Sequence, residues 1–432
     1  MNNKFAANKQ VSVLQNGVSI ATDLLPGASS VYAGLWLPIG SASENSKNSG
    51  LSHFYEHLVF KGTKNSSAFQ IAKEIEDLGG NLNAYTSRDA TCFYIHIAKE
   101  HLQTAVRVLA DLVMEPKLTS SDFAKERDVI LKEIAAIEDN PEELSDDFFH
   151  KAHFKGCGLA LPITGSLKSV KNLSIDEIRK RQKSILEELP ILVSIAGAVE
   201  HNELVKICKK LFRKKSGTGN QPSIAYSANS GVEMRQKEVQ QATVLWGTSC
   251  EGLEAKELRA LQIFSHILGD GFSSRLFQNI REKYGLAYSI NSSFGNFIQK
   301  TTSKKNLAFF QIFFATEQKN MERVADYIRK EMKSFLRNGF LKQELEKAKQ
   351  GIIGSYKLSR DSLSSRQNRL ARQVIRYGHP IDISKTEAQI NNMEADYIES
   401  FIKKFLTSSK WTFAAVVPKG TRNLTFSSSI TA

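Results

Sequence analysis

Gly50-Leu51-Ser52-His53-Phe54-Tyr55-Glu56-His57-Leu58-Val59-Phe60 is the stretch that decides the reading. It is an apolar, helix-compatible run interrupted by a His-x-x-Glu-His cluster. Positions four apart on a helix stack on one face, so His53 and His57 can present two imidazoles to one metal ion. Glu56 precedes the second histidine by one position and lies near the same edge. Two histidines with a distant carboxylate form a catalytic zinc set, the fourth position being left to water. The Glu56 carboxylate is then free to take a proton from that water. The order of residues is the inverse of the common His-Glu-x-x-His arrangement.

A chain of 432 residues is too long for one ordinary core, so two or more domains are expected. Apolar residues at 41% and charged residues at 24% place it among globular proteins. No apolar run has the length of a membrane span, and no membrane partner is expected. The first ten residues lack an apolar core followed by a cleavage site, so no secretory signal is read there. Cys92, Cys157, Cys208 and Cys250 have no paired spacing and read as reduced thiols. These features point to the bacterial cytoplasm, with an organelle matrix as the alternative. The net charge is +13, from 58 Lys and Arg against 45 Asp and Glu. The excess is spread along solvated helix faces, with no basic arm and no aromatic-interleaved basic motif. A basic surface follows, and a nucleic-acid partner is not expected.

Asn16-Gly17 is a tight-turn signal between apolar runs at 11–14 and 18–22, which reads as a hairpin. A strand follows over 30–38, then a polar loop over 40–48 that leads into the histidine helix. Asn48 or Ser49 is available there as a cap. Residues 68–78 read as an amphipathic helix stopped by Gly79-Gly80, with strands at 81–87 and 91–97 and a helix over 99–114. A long helix spans 120–139 and ends at Asn140-Pro141. It carries Glu126, Glu133 and Glu138; Glu126 and Glu133 are seven apart and share a face, and spacing alone does not choose a ligand among these acids. Helices at 141–155, 173–183 and 203–212 and a buried strand at 191–199 complete this half. Residues 214–229 are rich in Ser, Gly and Asn and carry no periodicity.

The second half repeats the grammar of the first. The strand around Trp36 has an echo in Thr243-Val244-Leu245-Trp246-Gly247-Thr248. The start of the long acidic helix has one in Lys342-Gln343-Glu344-Leu345-Glu346-Lys347-Ala348, and the strand at 191–197 has one at 411–417. Where the first half has His53 and His57, the second is expected to have Ser273-Ser274-Arg275-Leu276-Phe277-Gln278, and so no metal site. The organisation expected is α+β: a domain over 1–213, a linker over 214–232 and a related domain over 233–432, each a mixed or antiparallel sheet packed with helices.

The histidine stretch with Phe60-Lys61-Gly62-Thr63, the helix segment Glu126-Arg127-Asp128-Val129-Ile130-Leu131-Lys132-Glu133-Ile134 and the internal repeat together resemble the pitrilysin family of metallopeptidases. Within it, the likeness is to the branch of the mitochondrial processing peptidase β subunit and its bacterial relatives, over roughly 11–417. The family more often has Leu where this chain has Tyr55. The resemblance selects Glu133, 76 positions after His57, as third ligand of one zinc ion per chain, and Glu126 as a supporting acid behind the ligands. It implies that two such domains form half of a clamshell. It also implies that Asn83, Ala84, Tyr85 and Thr86 lie on an edge strand where a substrate peptide adds by main-chain hydrogen bonds. Arg281 and Tyr288 are implied to bind the substrate backbone near the scissile bond, with Tyr288 assisting the developing oxyanion.

These implications describe a zinc-dependent endopeptidase acting on peptides or on presequence-like or unfolded polypeptides, with Glu56 as general base on the zinc-bound water. The partner expected besides the peptide is a second copy of the chain, with a heterodimer of related subunits as the alternative. The rival reading is a catalytically silent core-type subunit of the same fold, which the presence of His53, Glu56, His57 and Glu133 disfavours.

Overall fold

The computed structural model describes residues 8–213, 215, 222–421 and 427–431. Asn16-Gly17 closes an antiparallel hairpin of β1 (Lys9–Val13) and β2 (Ser19–Leu24), with Val13 opposite Ser19. Gly17 turns at a φ of 82°, where a Cβ would be strained. β3 (Ser30–Leu37) follows, then α1 (Leu51–Val59), α2 (Ala68–Glu76), β4 (Asn81–Thr86), β5 (Thr91–Ala98) and α3 (Leu102–Met114). Next come α4 (Ser120–Glu138), α5 (Pro141–His153), α6 (Leu167–Asn172), α7 (Ile175–Glu187), β6 (Leu192–Gly197) and α8 (His201–Leu211). Among the described residues the strands form a six-stranded sheet in the order β1-β2-β6-β3-β5-β4. Strand alternation sends Val31, Ala33, Leu35, Phe93, Ile95 and Ile97 into one core with α1 and α3, and leaves Tyr32, Trp36 and Tyr94 on the other face.

The second half comprises β7 (Gly231–Lys237), β8 (Ala242–Glu251), α9 (Ala255–Gly269), β9 (Ser289–Asn296), β10 (Leu307–Thr316), α10 (Met321–Asn338), α11 (Lys342–Leu358), α12 (Leu363–Tyr377), α13 (Ile383–Asn391), α14 (Ala395–Ser408) and β11 (Trp411–Pro418). Its sheet runs β7-β11-β8-β10-β9 among the described residues. The pairing senses repeat those of the first sheet. β2 and β6 are parallel, as are β7 and β11; β3 runs antiparallel to β6 and β5, as β8 does to β11 and β10. The α+β repeat read from sequence is therefore present, and only β1 has no counterpart among the described residues.

The topology corrects one alignment. α9 follows β8 as α1 follows β3, so the counterpart of His53 and His57 lies on α9 and not at Ser273–Gln278. α9 holds His266, whose Nδ1 is 2.8 Å from the Asp270 carboxylate. A cavity of about 270 Å³ there is lined by Gln262, Ser265, His266, Asp270, Ser292 and Tyr356, among others. Among the described residues, only His53, His57 and Glu133 form a group able to hold a metal ion.

The compact units also differ from the contiguous halves 1–213 and 233–432. The first unit holds the described residues up to Ile134, those of Leu161–Ile224, and Lys357–Asp382. The second holds Ala135–Ala160, Ala225–Tyr356 and the described residues from Ile383 onward. Two helices are exchanged: α5 packs on β11, β8 and β7, and α12 packs on β6, β2 and β3. The reason lies in side chains specific to each face. Arg366 of α12 pairs with buried Asp23 of β2, and Gln367 packs over Gly34, where a Cβ would meet its Nε2 at 2.2 Å. On α5, Phe149 packs over Gly247 and His153 bonds Ser249 and Thr412. Of the expected linker, 214 and 216–221 lie outside the described residues, and Gly231 and Val232 already belong to β7. The cysteines Cys92, Cys157, Cys208 and Cys250 are all free. Among the described residues no helix is long and apolar enough to cross a membrane.

Candidate metal centre

The loop before α1 does the capping, not Asn48 or Ser49. Gly50 is left-handed at a φ of 92° and no side chain caps from within the helix. Instead Glu44 reaches in from the loop. Its two carboxylate oxygens accept the backbone N–H of Gly50 and of Ser52, each at 2.7 Å. An anion at the N-terminus of a helix satisfies orphan donors and complements the dipole. Glu44 is buried; burial pushes its carboxyl above the ordinary range, against the pull of these N–H groups and the Arg181 guanidinium. Gly50 has no room for a side chain, since a Cβ would lie 2.6 Å from the Thr164 carbonyl oxygen.

The apolar residues of α1 fix its rotation. Phe54 stacks on Phe123 of α4 at 4.5 Å between ring centroids, and the buried Tyr55 hydroxyl donates to Gln182. With Phe54 inward, His53 and His57 face Glu133 of α4. His53 Nε2 is 3.5 Å from Glu133 Oε1, and His57 Nε2 is 3.6 Å from Oε2. One donor atom from each residue lies within 4.8 Å of the others. The 3.5 and 3.6 Å separations are long for hydrogen bonds. They are close to the roughly 3.3–3.4 Å expected between two atoms that sit about 2.0–2.1 Å from one tetrahedral ion. Two imidazoles and one carboxylate at this spacing fit zinc. The neighbouring imidazole holds the Glu133 carboxyl below its ordinary range, partly offset by burial.

Behind these three side chains, Glu126 is buried and places Oε2 3.2 Å from His57 Nδ1, while Oε1 accepts from Lys61 Nζ at 2.7 Å. His53 has no equivalent: its Nδ1 is buried without a hydrogen-bond partner among the described residues. Glu56 accepts a hydrogen bond from the Thr86 hydroxyl through Oε2. Burial pushes the Glu56 carboxyl up, while Thr86 and the two imidazoles pull it down.

Thr86 ends β4, which among the described residues is the edge of its sheet and pairs only with β5. Asn81, Asn83 and Tyr85 are exposed, while Leu82 and Ala84 turn toward the core. The Tyr85 hydroxyl lies 3.3 Å from Asn368 of α12. Asn83, Ala84, Tyr85 and Thr86 thus lie on an edge strand whose end touches Glu56. Arg281 and Tyr288 belong to the second unit. Arg281 sits on a π-helical turn (Phe277–Glu282), its guanidinium 4.8 Å from the Phe277 ring centroid and 5.9 Å from that of Tyr288, which is 73% exposed. Glu44, Lys61 and the Thr86–Glu56 bond were not read from sequence. Nothing in the composition of the polar loop distinguishes Glu44 from a solvated acid.

Residues 19–166 match the family model described as insulinase (peptidase family M16), and 172–352 match that described as peptidase M16 inactive domain. A Rickettsia bellii (strain RML369-C) protein named "Uncharacterized zinc protease" is 32% identical over 417 residues, covering 95% of this chain and 98% of its own. "Uncharacterized zinc protease YmxG" of Bacillus subtilis (strain 168) is 28% identical over 409 residues, covering 94% of this chain and 97% of its own. Among solved structures, a protease from Helicobacter pylori superposes with a TM-score of 0.82 at 20% identity, over 95% of this chain and 99% of that one.

Proposed function

The chain belongs to the insulinase family of M16 peptidases, and on that footing we propose that it is a zinc-dependent endopeptidase acting on extended or unfolded polypeptide. The observation that carries the reading is the convergence of His53, His57 and Glu133 donor atoms, with Glu56 alongside and the free edge of β4 next to it. His53, His57 and Glu133 would hold the ion. When bound, zinc supplies Lewis acidity that polarises a peptide carbonyl and makes water a nucleophile at neutral pH.

The chain's own groups do the rest. β4 presents a sheet edge to an extended peptide, where the Ala84 N–H, now on Asn83 Oδ1 at 2.8 Å, would exchange that bond for one to substrate, so recognition rests on main chain more than on side chains. Glu56 accepts a proton from the attacking water on its carboxylate and passes it to the leaving amine. Glu126 holds the His57 ring through Nδ1, which fixes the tautomer with Nε2 unprotonated. Arg281 and Tyr288 serve the peptide backbone, in a homodimer whose partner copy supplies them. Sedimentation showing a fully active monomer would remove the dimer.

The test is cleavage of a quenched random-peptide library by the purified chain. Cleavage is expected to vanish with chelator, return with added zinc and be absent in Glu56→Gln. Cleavage that survives full zinc removal would overturn the reading.

A further inference from the structure

We propose that Thr86 is a positioning residue for the Glu56 carboxylate, so that the strand offered to substrate also aims the base. This rests on the reading of Glu56 as base. A carboxylate has two oxygens, and rotation about its last bond exchanges them. The Thr86 hydroxyl donates to Oε2 of Glu56. Oε1 is then the oxygen left to receive a proton from water, and the carboxylate plane is fixed before substrate arrives. A side chain held by a second contact loses less freedom at the moment of reaction.

The bond is useful only if Thr86 is itself immobile, and the surrounding backbone makes it so. Thr86 is the last residue of β4 and pairs with buried Thr91, whose hydroxyl donates to the Ile39 carbonyl at 3.1 Å. The next turn closes with Ser87 N–H on the Ala90 carbonyl at 2.8 Å. Segment 40–42 then clasps that turn. Ser41 N–H donates to the Ser87 carbonyl at 3.3 Å and Ala42 N–H to the Arg88 carbonyl at 2.7 Å. Gly40 packs so closely that a Cβ would lie 2.1 Å from the Ser87 carbonyl oxygen. Gly40 is extended, so space and not backbone conformation demands glycine there. Two residues further on, Glu44 caps α1. One short run of chain thus ties the end of the substrate strand to the start of the helix that carries Glu56.

A bland role, the satisfaction of a buried carboxylate, would show as lost stability or lost zinc. A positioning role shows in turnover. The experiment uses the full-length, zinc-loaded chain with a quenched peptide and compares Thr86→Val, Thr86→Ala and Thr86→Ser, with Glu56→Gln alongside. Thr86→Val and Thr86→Ala are expected to lose about 10- to 100-fold in kcat, within the range that general base catalysis and orientation supply. KM and zinc affinity are expected to stay within about twofold, and Thr86→Ser, which keeps the hydroxyl, to regain most of kcat. The outcome that overturns this inference alone is wild-type kcat in Thr86→Val and Thr86→Ala beside an inactive Glu56→Gln. A loss confined to KM, or to zinc affinity, would also overturn it, by making Thr86 a substrate contact or a structural residue. Full activity in Glu56→Gln would remove the base and this inference with it.

Discussion

Glu126 Oε2 lies 3.2 Å from Nδ1 of His57, while the other ring nitrogen of His57 faces Glu133 at 3.6 Å. The two acids divide one imidazole between them, and only one edge remains for a metal. Lys61 holds the far oxygen of Glu126 at 2.7 Å, so the carboxylate cannot turn away. Glu126→Gln is therefore expected to weaken zinc binding about 10- to 100-fold, the usual effect of losing an outer partner of a ligating histidine. Glu133→Ala removes a ligand and should abolish stoichiometric binding. Competition against a chelator measures both. An unchanged zinc affinity in Glu126→Gln would show that packing alone sets the His57 ring.

Glu44 is the second expectation. His53 has no side-chain partner at Nδ1 among the described residues, so its placement depends on the backbone of α1. That backbone begins on the Glu44 carboxylate. Glu44→Ala would leave the buried N–H groups of Gly50 and Ser52 without their acceptor and remove the carboxylate charge that acts on Arg181. Leaving a buried donor unsatisfied costs roughly 1–3 kcal/mol. Urea unfolding of the zinc-free protein reads this directly. A loss below about 1 kcal/mol would mean that water replaces the carboxylate at that helix end.

What was legible in the sequence follows from how local each signal is. His53, Glu56 and His57 share two turns of one helix, so their spacing alone places them together. Glu133 and Glu126 were visible as a pair on one face, but the choice between them came from family likeness, because sequence spacing says nothing about which turn of α4 meets α1. Phe54 on Phe123 settles that in three dimensions. Glu44, Lys61 and the bond from Thr86 to Glu56 were illegible, since each joins residues that no one helix or strand contains. The misplaced counterpart of the histidine helix at Ser273–Gln278 has a different cause: pairing by resemblance of short segments ignored strand order, which assigns that place to α9.

The exchange of α5 and α12 was equally hidden, and it makes a prediction. Residues 1–213 contain α5 but lack the helix that covers β6, β2 and β3. In that fragment Asp23, 1% exposed in the folded chain, would lose Arg366. The fragment 1–213 is expected to be insoluble or molten by near-ultraviolet circular dichroism when expressed alone. Co-expression with 214–432 is expected to restore both the folded signal and zinc binding. Independent cooperative folding of 1–213 would show that α12 contributes little to the first unit.

The second exchanged helix carries a pH dependence. His153 of α5 is fully buried, with Nε2 2.7 Å from the Ser249 hydroxyl and Nδ1 3.0 Å from that of Thr412. Phe149 stacks on the ring at 5.1 Å and Phe154 meets it edge-on at 4.8 Å. Burial, aided by the Lys410 charge and opposed by a hydrogen bond to the Asn229 backbone, lowers the imidazole from its ordinary 6.5 to about 4. Between those two values the unfolded chain binds the proton and the folded chain does not. Stability therefore falls as pH drops from about 6.5 toward 4, by roughly 3 kcal/mol when complete. Carboxylates titrate in the same range, so the wild type is compared with His153→Gln. The stability advantage of the wild type over the variant at pH 7 should shrink by roughly 2–3 kcal/mol at pH 4.5. A constant difference across that range would show that the imidazole at 153 is not the group that takes up the proton on unfolding.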